Sequence, residues 1–290
     1  MEKKLKMSKP SELLNLSEVS KSYDVFFIDL WGVVHNGVKL FNDIIDVLQN
    51  LKKEKKKIFF LTNAPRRAAV INEQLKDFGL SDELYDFVVS SGEITWQKLN
   101  SNKKEGQKNC FLIGPKRDFH LIEGLDLKVT NDPNLTDIIL NTGPWGDDDV
   151  LENYTSILEN LVKKNPIMIC SNPDKTVVRG DRFMICAGTL ADYYEKIGGS
   201  VEYYGKPFKQ IYEFCFKIIE KNKKVLVIGD SLENDIAGAN NQNLDSILIT
   251  SGIHRQVNNE SGIDIKKLDD LMEKKKNLPK IFHEKFNILN

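Results

Sequence analysis

The chain has 290 residues and a nearly even balance of 41 basic and 42 acidic side chains, which gives no field to attract nucleic acid or an anionic membrane surface. That length allows one large domain or two smaller ones, each with a substantial core. No apolar run reaches a membrane span, Met1 to Asn15 lacks the apolar core of a secretory signal, and Cys110, Cys170, Cys186 and Cys215 form no CxxC pair, so a reduced cytoplasmic protein without zinc or redox motif is expected.

From Met1 to about Ser22 the sequence reads as a loose tail with a short helix. Val25-Phe26-Phe27-Ile28 then runs straight into Asp29, with Gly32 three residues on. A continuous apolar run of this kind is a strand buried on both faces, as in a parallel sheet, and it puts Asp29 at the carboxyl end. Phe41 to Lys53 has helical spacing of Phe41, Ile44, Ile45, Val47, Leu48 and Leu51. Lys57 opens a second apolar strand, closed by Thr62-Asn63-Ala64-Pro65. Ala68 to Phe78 is a helix stopped by Gly79. Phe87 to Gly92 reads as a third strand ending in small polar residues. Strand and helix in alternation imply βαβ units.

From about Glu105 the texture changes. Cys110 to Gly114, Ile138 to Asn141 and Pro166 to Cys170 are short strands, and Val150 to Val162 is a helix. This second βα array is read as an inserted domain. Leu190 to Ile197 is a helix, followed through Gly198-Gly199 by Tyr203-Tyr204-Gly205-Lys206-Pro207. Ile211 to Lys221 is a helix. Val225 to Gly229 is an apolar strand running into Asp230, with Asp235 five residues on, and Ser246 to Thr250 is a last strand. The tail to Asn290 is expected to be helical and peripheral. The lysine runs at Lys52–Lys57, Lys221–Lys224 and Lys274–Lys276 read as solvated helix ends.

Two apolar strands far apart in sequence thus end in Asp, a third ends in Thr-Asn, and a lysine sits in a Gly-Lys-Pro turn. As strands of one sheet, their ends converge at one rim. Clustered carboxylates repel unless a cation joins them, and hard oxygen ligands favour Mg²⁺. Magnesium, an ammonium and a hydroxyl/amide pair suit a phosphoryl group, and a carboxylate facing phosphorus can act as nucleophile. Gly199 to Lys206 is not a P-loop, because the spacing is one too long and Pro207 stands where Ser or Thr is required. There is no GxGxxG, and His35, His120, His254 and His283 are scattered.

Phe-Ile-Asp-Leu-Trp-Gly-Val, Leu-Thr-Asn, Gly-Lys-Pro and Gly-Asp-Ser-Leu-Glu-Asn-Asp-Ile, in this order, resemble the four motifs of the haloacid dehalogenase superfamily. The insertion between the second and third motifs, with Ser-Asn-Pro-Asp in its later half, resembles the α/β cap of class IIA, a branch of sugar-phosphate, nitrophenyl-phosphate and nucleotide phosphatases. The resemblance covers roughly Asp24 to Gly252. It implies an α/β fold: a Rossmann-like core of residues 1–104 and 200–290 with a parallel sheet, and an inserted α/β cap of residues 105–199. It makes Asp29 the nucleophile and Lys206 the group that neutralises developing charge. Thr62 and Asn63 bind the phosphoryl oxygens, and Asp29, the Trp31 carbonyl, Asp230 and Asp235 hold Mg²⁺. Arg66 and Asp174 join the substrate site or, on their other reading, are a solvated helix start and a cap. Trp145, in the Gly143-Pro144-Trp145 loop, is a specificity residue or part of a plain turn. Members of this class often pair through their caps, so a homodimer acting on a small phosphorylated substrate is the expected assembly.

One position departs from the pattern. Phosphatases of the superfamily carry a second Asp two residues after the nucleophile, which protonates the leaving oxygen and then activates water. Trp31 stands there. An indole N–H only donates, and losing a general acid/base costs about 10²–10⁴-fold in rate. Three readings follow: a slow Mg²⁺-dependent phosphatase, a regulatory protein that binds a phosphorylated ligand without turnover, and a metal-free dehalogenase, against which the retained Asp230 and Asp235 argue.

Overall fold

Apolar runs without a polar face become the inner strands of a seven-stranded parallel sheet. The whole sheet, in order across it, is Ser11–Glu12, Ile281–His283, Asp245–Ile249, Val225–Gly229, Val25–Asp29, Lys57–Thr62 and Phe87–Ser90, with the polar, exposed Ser11–Glu12 at one edge. The computed structural model describes residues 10–12, 16–101, 106–179 and 182–287. Of the segment expected as a loose tail with a short helix, residues 1–9 and 13–15 fall outside them, Ser11–Glu12 forms a strand instead, and Leu16–Ser20 is the expected helix; the expected domain boundary at 104–105 also falls outside.

The chain divides into two compact units: Met1–Phe60, Asp82–Asp86 and Lys221–Asn290 form one, and Leu61–Ser81 with Phe87–Glu220 the other. In the first, all five residues of Val25–Asp29 are buried, and the strand pairs in parallel with Val225–Gly229, Val25 opposite Val225. Phe27 meets Phe59 edge-on at 5.6 Å. The helix Ile44–Lys53 buries Ile44, Val47, Leu48 and Leu51, the stripe its spacing predicts. The carboxyl-terminal tail differs from the expected peripheral helix. Its helix Ile265–Lys275 packs Leu268 and Met272 with Leu232, Ile236 and Leu248, and Ile281–His283 then enters the sheet beside Asp245–Ile249. Three residues are too few for periodicity to register.

The second unit contains a five-stranded parallel sheet, ordered Val201–Tyr203, Ile167–Cys170, Ile138–Asn141, Lys108–Ile113, Leu127–Val129. Chain order reverses at Lys108–Ile113: the next strand lies on one side of it and the following one on the other. Its core includes Phe111, Ile139, Tyr154, Leu158, Met168, Leu190 and Tyr194. The helices Ala68–Asp77, Glu152–Leu161, Ala187–Lys196 and Lys209–Ile218 match the expected segments within a few residues. A helix Ser91–Ser101 and a hairpin of Thr176–Arg179 with Arg182–Ile185 were not legible.

Candidate active site

Asp29 ends its strand, and Asp230 follows the last residue of the strand paired with it. Asp235 is carried on the wide turn Leu232–Ile236, which Ser231 opens. The Ser231 hydroxyl accepts from the Asn234 N–H, and the Asp235 carboxylate accepts from the Ser231 N–H at 3.1 Å. This reciprocal cap fixes the carboxylate before any ligand arrives. Oxygens of Asp29, Asp230 and Asp235 all lie within 4.8 Å of one another, and the residues are 7%, 6% and 2% exposed.

Two carboxylates about 4 Å apart repel by on the order of 4 kcal/mol at an effective dielectric of about 20. Three such groups, largely removed from water, call for a cation. The donor set is all hard oxygen, and the spacing is of the order of that across an octahedron with bonds of about 2.0–2.1 Å, so the residues fit Mg²⁺. Asp230 Oδ2 also accepts from the Ile253 N–H at 2.7 Å, which orients that side chain.

Glycines make the room. A Cβ on Gly32 or Gly252 would stand 2.1 or 1.9 Å from Asp230 Oδ2. Gly252 is the cleaner test, because its backbone needs no positive φ. Gly252→Ala is expected to displace the Asp230 carboxylate, cost about 1–3 kcal/mol of stability, and remove most of the protection that Mg²⁺ gives against thermal unfolding. Melting curves with and without the ion check it.

Trp31 sits on the loop after the Asp29 strand. Its indole lies against Gly37, where a Cβ would stand 2.0 Å from Cη2, and edge-on to His35 with ring centroids 5.7 Å apart. The loop is closed by Gly32 N–H to the His35 carbonyl and by Gly37 N–H to His35 Nδ1. His254 Nε2 accepts from the Leu232 N–H at 3.2 Å, and burial pushes its pKa down to about 4, so the ring is neutral and positions the turn that carries Asp235. No motif signals this use of His254.

The second unit assembles Thr62, Asn63, Asp174 and Lys206. Asn63 Oδ1 accepts from the Lys206 N–H at 2.7 Å and from the Ser91 hydroxyl at 3.4 Å. Asn63 Nδ2 donates to the Lys206 carbonyl at 3.0 Å and to Asp174 Oδ1 at 2.8 Å. The amide is thus engaged on all four sides and clamps the Gly-Lys-Pro turn to the Ser-Asn-Pro-Asp loop. Gly205 is required there, with φ +131° and a Cβ position 2.6 Å from Asn63 Oδ1. Lys206 is 3% exposed and donates from Nζ to the Leu61 carbonyl at 3.0 Å. The Thr62 hydroxyl accepts from the Ala64 N–H at 3.2 Å and keeps its own proton to donate.

Trp145 is 46% exposed and tilted against Tyr154, whose hydroxyl accepts from the Trp145 N–H at 2.6 Å and donates to Asp149. The loop is therefore shaped by its own hydrogen bonds, with the indole outward. Arg66 is partly buried near Asp118 and Arg117. Ser91 and Ile253, which hold Asn63 and Asp230, stand outside every expected motif.

A crystal structure of a haloacid dehalogenase-like hydrolase from Brucella suis 1330 superposes with a TM-score of 0.79 at 31% identity, over 94% of this chain and 98% of that one. The chain belongs to the haloacid dehalogenase-like hydrolases. Family models agree: haloacid dehalogenase-like hydrolase matches residues 26–128, and HAD-hydrolase-like matches 203–273. The α/β sheet between the Asn63 and Lys206 motifs marks this hydrolase as class IIA. An acid sugar phosphatase of Staphylococcus epidermidis is 22% identical over 236 residues, covering 80% of this chain and 88% of that protein. A 4-nitrophenylphosphatase of Schizosaccharomyces pombe is 24% identical over 277 residues, covering 87% and 90%.

Proposed function

We propose that this hydrolase is a Mg²⁺-dependent phosphatase of small phosphorylated metabolites, with Asp29 as nucleophile. The observation that carries the reading is the buried trio of Asp29, Asp230 and Asp235 at the ends of paired strands. The named phosphatase relatives support it. Asp29 attacks phosphorus, the bond to the leaving oxygen breaks and that oxygen takes its proton from solvent, and water then hydrolyses the aspartyl-phosphate to regenerate Asp29 and release inorganic phosphate. The Thr62 hydroxyl donates to a phosphoryl oxygen, and the Lys206 ammonium neutralises charge as it develops. Asn63 holds Lys206 and Asp174 in place. When bound by Asp29, Asp230, Asp235 and the Trp31 carbonyl, Mg²⁺ supplies positive charge beside the phosphoryl group. Residues 105–199 are the inserted α/β cap domain of this reading, and Trp145 contributes to selectivity.

Nitrophenyl phosphate and a panel of sugar phosphates test the proposal. Turnover is expected with Mg²⁺, none after chelation, and recovery when Mg²⁺ is returned. No turnover of any ester at high enzyme concentration would overturn it. Trp31 supports a second reading, a binding protein without turnover. Tight binding of a phosphorylated metabolite, with no hydrolysis over hours, would establish that one instead.

A further inference from the structure

Two adjacent arginines follow the Asn63 motif, and the fold treats them differently. Arg67 is fully used: Nε and Nη2 donate to Glu93 at 2.7 and 3.3 Å, and the guanidinium stacks over Trp96 at 3.8 Å. Arg66 has a fixed backbone. Its carbonyl accepts from the Ser90 hydroxyl at 2.5 Å, and its N lies against Gly92, where a Cβ would stand 2.3 Å away. Among the described residues, no group hydrogen-bonds or ion-pairs with its guanidinium. Burial depresses its pKa, opposed by the field of Asp118. A guanidinium held partly out of water with none of its donors matched by protein is costly, and its planar fork fits a carboxylate.

Asp118 is 3% exposed, on the turn Lys116–Ile122 after the strand Lys108–Ile113, and His120 of the same turn accepts from the Arg67 N–H at 3.3 Å, which ties the turn to the arginine pair; the buried Thr142 hydroxyl donates to the Ile113 carbonyl at 3.5 Å. Thr142 directly follows Ile138–Asn141, and its N–H donates to the Ile113 carbonyl at 2.8 Å. These two strand ends are where the order of the five-stranded sheet reverses, which is where open α/β sheets bind ligands. Arg117, on the same turn, is exposed and 3.6 Å from Asp147, and its charge also acts on Arg66 and Asp118. Arg66 follows Asn63 by three residues, so their Cα atoms are at most about 11 Å apart. A short carbon chain spans that from a phosphoryl group.

We propose that Arg66, with Asp118 and Thr142 at the sheet reversal, forms a second subsite that binds a carboxylate on the non-phosphoryl end of the substrate, so that phosphorylated carboxylic acids are preferred to neutral sugar phosphates. The inference rests on the phosphatase reading and narrows its substrate class. The Arg66 fork takes both carboxylate oxygens, and Asp118 accepts from a neighbouring hydroxyl. The Asp118 charge disfavours a second phosphate, which carries more negative charge than a carboxylate.

Phosphoglycerate, glycerol phosphate and nitrophenyl phosphate, compared at saturating Mg²⁺, test it. The wild type is expected to favour phosphoglycerate over glycerol phosphate by at least about tenfold in kcat/KM. Arg66→Gln should lose about 10- to 100-fold on phosphoglycerate, mostly through KM, and much less on glycerol phosphate. Arg66→Lys should fall between, and it serves alone if Arg66→Gln does not fold by thermal melt. No preference in the wild type, or equal losses on all three esters, would overturn the subsite and leave the phosphatase reading standing. If none of the three is hydrolysed, that reading fails and calorimetry decides the subsite. Tighter wild-type binding of phosphoglycerate than of glycerol phosphate, lost in the variant, supports it; equal binding overturns it.

Discussion

Asp29→Asn is expected to reduce hydrolysis of nitrophenyl phosphate by at least about 10⁴-fold at any Mg²⁺ concentration, while raising the melting temperature measured in a chelator. An amide of the same shape cannot form the acyl-phosphate, so no excess of metal restores the step. The stability gain comes from the geometry of the acidic trio. With all three oxygens inside 4.8 Å, removing one negative charge relieves two repulsions. Even partial relief of about 2 kcal/mol moves the midpoint of a protein this size by several degrees. On the proposed reading Mg²⁺ should stabilise the wild type by binding the folded state, and the variant less, because one ligand charge is gone. Parallel melts and initial-rate assays check both halves. Activity near the wild-type level would remove Asp29 from its role. An unchanged or lower apo midpoint would instead mean that the trio is not mutually repelling.

Trp31→Asp is expected to act in the opposite direction. If the variant places a carboxylate where the leaving oxygen can receive its proton, esters with poor leaving groups should gain up to about 10²–10⁴-fold, and nitrophenyl phosphate much less, because its leaving group needs little protonation. The structural cost is confined to one loop. The indole rests on Gly37 and His35, outside the sheet core, so the loss should stay below the roughly 3–5 kcal/mol of a fully buried aromatic truncation. The new carboxylate adds negative charge beside the trio, so the metal-free protein should lose stability and half-saturation by Mg²⁺ should move to lower concentration. Rates across a leaving-group series, at saturating Mg²⁺ and with folding verified by melt, decide the matter. A folded, metal-saturated variant with no leaving-group-dependent gain would mean that the proton comes from another group.

The parallel sheet was legible because its inner strands are apolar without interruption, as in Val25–Asp29 and Val225–Gly229, and each runs straight into an aspartate. That shared pattern put both strand ends at one rim, but not which strands pair; the direct pairing of the two is seen only in the structure. The helix Ser91–Ser101 was missed because Ser90-Ser91-Gly92 reads as a strand end. In the structure, Ser90 is its cap, taking the Glu93 N–H at 3.0 Å. The tail strand Ile281–His283 is short and follows a proline, so it reads as a loop. Within the site, the residue types were legible and the supports were not. Asn63 reaches Asp174 across more than a hundred positions, and nothing local to either announces the bond. The same holds for Ile253 with Asp230 and for His254 with Leu232. Arg66 and Arg67 are indistinguishable in sequence. Only the placement of Glu93 and Trp96 shows that one is already matched.

The register of the large sheet bears on how the chain acquires its shape during synthesis. Val25 waits for Val225, and Ser11 waits for Ile281, so one flank of the nucleophile strand lacks its partner until most of the polypeptide has left the ribosome. The five-stranded sheet is drawn entirely from residues 108 to 203, with each strand paired to one close by in the chain. Loop-closure entropy therefore favours the inserted array forming first, at a rate set by local contacts. At about 5–20 residues per second, Val25–Phe27 remain for tens of seconds as an apolar segment with an open edge. The acidic trio comes together only as Val225–Gly229 docks, so three carboxylates whose oxygens lie within 4.8 Å of one another are gathered late, after most of the chain has been made.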